Sequence, residues 1–279
     1  MSQMVVTRDL KKPTTQLQTA ALWLGHAFAI TALILVCTWA CSNTDDDYFL
    51  GGVSWSGDNI FNWHPIFMVS GMVVAYTWGI LAYRTLPLGK EKNKIMHGAS
   101  MAAACVLISL GLYTVFRYHN DNLFGNLISM HSWMGIATVT LFFANFVGGE
   151  AAFFLKIVPE EIRKAYLPRH SFLGIFTYFS ACFTCLSGIM EKNNFLGCDY
   201  DITLTEADTN PASHYSNIYA GCRLSNGLGI VIICTCMCAA FAVLDMDHDH
   251  PKEKGGGGEE PLLQGQAQGQ AQVQVQQGT

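Results

Sequence analysis

The chain has 279 residues, 51% hydrophobic and only 13% charged, with a net charge of −5. Charged residues make up about a quarter of an ordinary soluble domain. Here they are missing from whole blocks of sequence, which excludes a soluble core built from helices with charged faces.

A membrane-crossing helix needs about 20 mostly apolar residues. Six blocks qualify, at 20–41, 61–83, 95–116, 127–149, 170–190 and 226–244. The expected fold is an all-α membrane protein with six transmembrane helices. A polar lead covers 1–19, the transmembrane domain 20–245 and a tail 246–279. The lead shows no cleavable signal peptide, because the first apolar block is long enough to span and lacks an A-x-A site.

Basic residues set the orientation. Thirteen of the sixteen fall in the lead, the tail and the loops after spans two and four, against three (Arg117, Lys192, Arg223) in the opposite loops. Both termini are therefore expected in the cytosol. The non-cytosolic loops hold ten acidic residues, while Glu150 is counted with the cytosolic loops and the spans are read as free of buried carboxylates.

In chain order, span one carries His26, read as an interfacial histidine satisfied by its neighbours. Span two opens at Phe61-Asn62-Trp63-His64-Pro65 on the outer side, where proline is tolerated in a first helical turn. Span three follows Lys90, Lys92 and Lys94 and has His97 just inside the cytosolic face. Span four opens from outside through Ser129-Met130-His131-Ser132-Trp133, and span five from the cytosol through Pro168-Arg169-His170. Intramembrane histidines are costly unless paired. Topology puts His64 and His131 at one depth and His97 and His170 at the other. Two six-coordinate haems need that arrangement, so the expected core is a four-helix bundle holding two b-type haems, suited to electron transfer. Gly135, Gly174, Gly71 and Ala104, placed i+4 or i+7 from these histidines, are expected on the same helix faces, beside a large planar ligand.

Cys198 and Cys222 share the longest outer loop, an oxidising location, and a disulfide is expected between them. In span six, Cys234, Cys236 and Cys238 point to different helix faces and are not read as a metal site. The Gly run at 255–258 and the Gln/Gly/Ala repeats after it cannot bury a core, so the tail is expected to be disordered. It also holds His248, His250 and a weak dileucine-like segment, Glu259-Glu260-Pro261-Leu262-Leu263.

The histidine-bearing motifs at 61–65 and 129–133, with Gly188, Glu191-Lys192, Asn226 and Gly229, resemble the signatures of the cytochrome b561 family of ascorbate-reducible transmembrane cytochromes, including its animal duodenal and chromaffin-granule types. The likeness covers roughly residues 20–245. It implies two haem b groups, one on His64 with His131 and one on His97 with His170, the pairing already given by topology. It implies cytosolic ascorbate as donor, held by Lys90, Lys94 and Arg163 with Tyr83 and Arg84. On the outer side it implies a catalytic His119, with Asn126, facing monodehydroascorbate or ferric iron. It further implies a homodimer in the plasma membrane or a secretory or endolysosomal vesicle membrane, with no nucleic-acid partner. The sequence departs from the family where Ile128 replaces a usual tyrosine and where later basic residues of the segment 79–87 are missing. The competing expectation is a haem-free transporter using the histidines as a proton relay. Such a protein favours scattered acids and discontinuous spans.

Overall fold

The computed structural model describes residues 16–42, 48–85, 89–198 and 218–243. Most of the lead, most of the long outer loop and the tail, with His248, His250 and the dileucine-like segment, lie outside the described residues. Six helices are long and apolar enough to cross a membrane: α1 (Gln16–Cys41), α2 (Asp58–Thr85), α3 (Lys90–Asp121), α4 (Met130–Phe154), α5 (Glu160–Leu196) and α6 (Ala220–Val243). The end bearing Arg84, Lys90 and Arg163 is called inner, the opposite end outer. Phe172, Phe183 and Ile34 are more than half exposed, a surface that suits lipid rather than water.

The helices run beyond the apolar blocks because polar residues at their ends continue them. α5 begins ten residues before the expected position, with Glu160 and Glu161 in its first turn. Acids there complement the helix dipole, and Glu160 pairs with Lys164 at 2.7 Å. Pro168 lies inside the helix and cannot donate to the carbonyl one turn back. Nearby, Arg169 donates from Nη1 to the carbonyl of Ala165 at 2.7 Å. The helix stops at Gly197, which takes the left-handed conformation that glycine adopts without strain.

Two helices are irregular. α2 consists of an α segment Trp63–Met68, a π segment Val69–Ala75 and an α segment Tyr76–Thr85. α4 passes from α (Met130–Gly149) to π (Glu150–Phe154) at its inner end. Glu150 therefore belongs to the helix and is half-buried, which corrects the expectation of spans without carboxylates.

α2 is the central element, with 67% of its apolar window buried against 28–39% for the others. α1 and α6 lie along each other behind it. In front, α2 packs on α3 and α4 packs on α5, while α3 and α4 hardly touch. The two hairpins are clamped at mid-depth, where the π segment of α2 meets α5. Tyr76 donates to the Gly174 carbonyl at 2.9 Å, and the hydroxyls of Thr77 and Tyr178 lie 2.6 Å apart. The Tyr76 ring meets both Phe142 and Tyr178 edge-on at 5.3 Å. Buried hydroxyls need partners in an apolar setting, and here the partners come from the facing hairpin.

At the outer end a disulfide joins Cys198 to Cys222, with their Cα atoms 5.9 Å apart, tying α5 to α6. Asn62 donates from Nδ2 to the carbonyls of Leu50 and Gly52 at 2.7 and 2.6 Å, anchoring the outer loop to the start of α2. At the inner end His26 lies 2.8 Å from the Thr85 hydroxyl, outside the histidine set that faces the bundle centre.

Candidate functional site: two facing histidine pairs

The outer pair is set by two helix starts. His64 is the second residue of the α segment that Asn62 anchors. His131 is the second residue of α4, after a capping box in which Ser129 accepts from the Ser132 N–H and Ser132 from the Ser129 N–H. The Ser-x-His-Ser pattern is thus a helix start that fixes the depth of its histidine. The two rings face each other with centroids 6.2 Å apart and planes at 87°.

The inner pair repeats this spacing. His97 on α3 and His170 on α5 have centroids 6.2 Å apart and planes at 78°. A metal-to-imidazole nitrogen bond is about 2 Å, so two rings on opposite sides of one ion have centroids about 6 Å apart. Both pairs fit that span.

Hydrogen bonds fix which nitrogen is available. His64 Nδ1 lies 2.9 Å from the Gly111 carbonyl, His97 Nδ1 2.8 Å from that of Gly79, and His131 Nδ1 3.0 Å from that of Thr184. A carbonyl only accepts, so each Nδ1 carries the proton and each Nε2 keeps its lone pair. Metal-ligating histidines are commonly held this way. His170 differs: its Nδ1 is buried with no partner. Its backbone carbonyl accepts from Asn145 Nδ2 at 3.2 Å, and its ring is wedged by Phe153 at 5.3 Å and Tyr166 at 5.9 Å.

Two glycines make room for the rings. A β-carbon on Gly188 would fall 2.7 Å from Cε1 of His131, and one on Gly149 would fall 2.7 Å from Cε1 of His170. The small residues expected beside a large planar ligand have these neighbours. Gly71 abuts the Ala104 carbonyl and Ile108, Gly135 faces Thr184, and Gly174 faces Asn145. Gly71 lies within the π segment and, like His64, faces α3.

The remaining expected site residues divide by face. On the inner face Tyr83 lies 5.6 Å from the His97 ring. Lys90 is exposed in the first turn of α3. Lys94 is already paired with Glu91 at 2.5 Å. Arg84 donates to the Val243 carbonyl at 3.4 Å, at the C-terminal end of α6, and Arg163 to the Val158 carbonyl at 3.2 Å. Among the described residues no hydrogen bond or ion pair joins Arg163 to Lys90 or Lys94. On the outer face His119 Nδ1 lies 3.2 Å from Asn126 Oδ1, and Asn126 donates to Asn120 at 3.0 Å. The Tyr118 ring meets Phe61 at a tilt and Phe124 edge-on, linking this loop to the outer pair.

Residues 63–196 match the eukaryotic cytochrome b561 family. The probable ascorbate-specific transmembrane electron transporter 2 of Oryza sativa subsp. japonica is 34% identical over 178 residues, 62% of this chain and 73% of that protein. The chain belongs to the cytochrome b561 family. The lysosomal membrane ascorbate-dependent ferrireductase of Danio rerio is 32% identical over 207 residues, 72% of this chain and 78% of that protein. Its Homo sapiens counterpart is 41% identical over 150 residues, 52% of this chain and 62% of that protein. The segment matching cytochrome b561 holds all four histidines of the two pairs and leaves α1 and α6 outside.

Membership in a b-type cytochrome family makes haem b the group to test against these pairs. Among the described residues no three His, Cys, Asp or Glu side chains cluster as a metal site. Two opposed imidazoles per level suit an iron whose other four ligands are porphyrin nitrogens. The residues present fit the group.

Proposed function

We propose that this cytochrome b561 is an ascorbate-dependent transmembrane oxidoreductase with two haem b groups, one held by His64 and His131 and the other by His97 and His170. The observation that carries this reading is the repeated 6.2 Å separation of facing imidazoles at two levels. Held by two histidines at each level, haem would supply one-electron redox chemistry, which suits electron transfer rather than oxygen activation.

The chain's own residues define the ends of the path. The 13-to-3 split of basic residues supports an inner face in the cytosol. There Lys90, Lys94 and Arg163 attract an anionic donor, and Tyr83 separates that surface from His97. In the Lys94–Glu91 pair the carboxylate side chain is 72% exposed and that of Lys94 21% exposed, so the pair opens to solvent on its Glu91 side. At the outer end His119 and Asn126 form an exposed polar group suited to a small acceptor, monodehydroascorbate or ferric iron. The names of the rice and zebrafish relatives support ascorbate as donor.

The deciding experiment is a visible spectrum of the purified protein, with a haem count per chain, before and after ascorbate. Two haems, both reduced by ascorbate, are expected. A chain without haem, or one whose haem does not respond to ascorbate, overturns the reading.

A further inference from the structure

Two charged side chains lie against the histidine pairs without a counter-charge, one at each level. Glu150 follows Gly149, the residue on which the His170 ring rests, and its Oε1 lies 3.5 Å from where a side chain on Gly98, next to His97, would begin. Its carboxylate thus lies beside the α3 backbone next to His97, one residue along α4 from the glycine that the His170 ring touches. Lys192 is one helical turn beyond Gly188, the residue on which the His131 ring rests. Its Nζ lies 4.6 Å from the centroid of the Phe61 ring, which is itself 5.9 Å from the His64 ring. Among the described residues the ion pairs are Glu91–Lys94, Arg117–Asp121 and Glu160–Lys164, and neither Glu150 nor Lys192 takes part.

Charges inside a helical bundle are costly when unpaired. These two have opposite signs and stand at opposite ends of the path. We propose that Glu150 and Lys192 set an electrostatic gradient along it: the carboxylate disfavours an added electron at the inner level, and the ammonium favours one at the outer level. This rests on the haem reading above. An electron moving from the inner to the outer level oxidises the first and reduces the second, with no bond or proton exchanged.

Other charges oppose the gradient. On the inner side these are Lys90, Lys92, Lys94, Lys156, Arg84, Arg163 and the exposed Lys164 and Arg169, and on the outer side Asp58, Asp121 and Glu191. Lys90, Lys92, Lys156, Asp58 and Asp121 are exposed, and Lys94 and Asp121 already have partners. A charge acting at an effective dielectric of about 20 is roughly four times stronger than one acting through water at the same distance. The exposed charges are further screened by salt, so Glu150 and Lys192 outweigh them; Arg84, Arg163 and Glu191 are half-buried too, but Arg84 and Arg163 are directed to the carbonyls of Val243 and Val158.

The test is a spectroelectrochemical titration of the purified holoprotein, with haem counted in every sample. Glu150→Gln should make the inner level easier to reduce, and Lys192→Met should make the outer level harder to reduce. Each should change the ferrous-to-ferric ratio at fixed potential about tenfold, equivalent to ~59 mV for one electron. Glu150→Asp and Lys192→Arg should titrate as the unaltered protein does. Two bound haems with unchanged titrations in Glu150→Gln and Lys192→Met overturn the proposal. So does a conservative variant that shifts as far as the neutral one. If Glu150→Gln and Glu150→Ala both lose the inner haem while Glu150→Asp keeps it, Glu150 is structural and the gradient is wrong. Absence of haem from the unaltered protein is a different result, because it overturns the haem reading itself.

Discussion

The outer and inner histidine pairs have the same ring separation but are held by different means. At the outer level both rings are pinned at Nδ1 by carbonyls, and Ser187 Oγ adds a second contact to His131 at 3.3 Å. At the inner level His97 is pinned but His170 Nδ1 is not, and packing against Phe153, Tyr166 and Gly149 orients the His170 ring. A ring held by packing can rotate about its χ2 torsion more readily than one held by a hydrogen bond. The inner level is therefore the softer of the two, and it is also the level beside the donor surface.

The largest expected effect comes from removing a ligand. His97→Leu should lower the haem count from two to one and abolish reduction by ascorbate, while His64→Leu should remove the other haem. Retention of both haems in either variant refutes the ligand assignment. Next is the space for the rings. Gly149→Val and Gly188→Val place carbon where His170 or His131 now stands, and each should displace the haem at its own level. Gly71→Ala meets only helix neighbours at 3.2–3.3 Å, and should cost stability while leaving both haems bound. Haem loss in Gly71→Ala would return that residue to the site.

A third expectation separates the levels directly. Losing an outer-shell bond typically weakens metal binding about 10- to 100-fold, so under mild acid or competing imidazole the inner haem should leave first. Paired spectra of His97→Leu and His64→Leu identify the bands, and earlier loss of the outer haem would reverse the comparison. Neutralising Lys90 and Lys94 together should raise the ascorbate KM roughly tenfold, the scale of one charge-assisted hydrogen bond, without changing the spectrum. An unchanged KM moves the donor site elsewhere. The smallest effect is expected from Ser187→Ala. His131 keeps its bond to the Thr184 carbonyl, so haem retention at the outer level should stay within about twofold, well under the cost of a lost hydrogen bond.

Much of this was legible in the sequence. Hydrocarbon thickness and the cost of charge act on each segment separately, so the number of spans follows from composition, while the helix limits run past the apolar blocks. Histidine depth follows too, because His64 and His131 lie beside helix starts with recognisable Asn-x-His-Pro and Ser-x-His-Ser signals. The residues around the rings were harder to read. A π turn adds a residue to the helical period, and the irregular inner end of α4 took Glu150 into the bundle. Gly188 stood out only as part of a family signature, and Gly149 carries no local mark of its role, because a glycine against an imidazole looks like any other glycine in a span.

By itself the sequence determined six crossing helices, the depth of four histidines and the sign of charge at each face, because each depends on how one segment partitions between water and lipid. The tertiary structure alone decided that the facing rings stand 6.2 Å apart, that His170 lacks the bond its three counterparts have, and that one carboxylate and one ammonium flank the two levels. These depend on how each helix is rotated about its axis against its neighbours, which side-chain packing fixes and hydropathy does not.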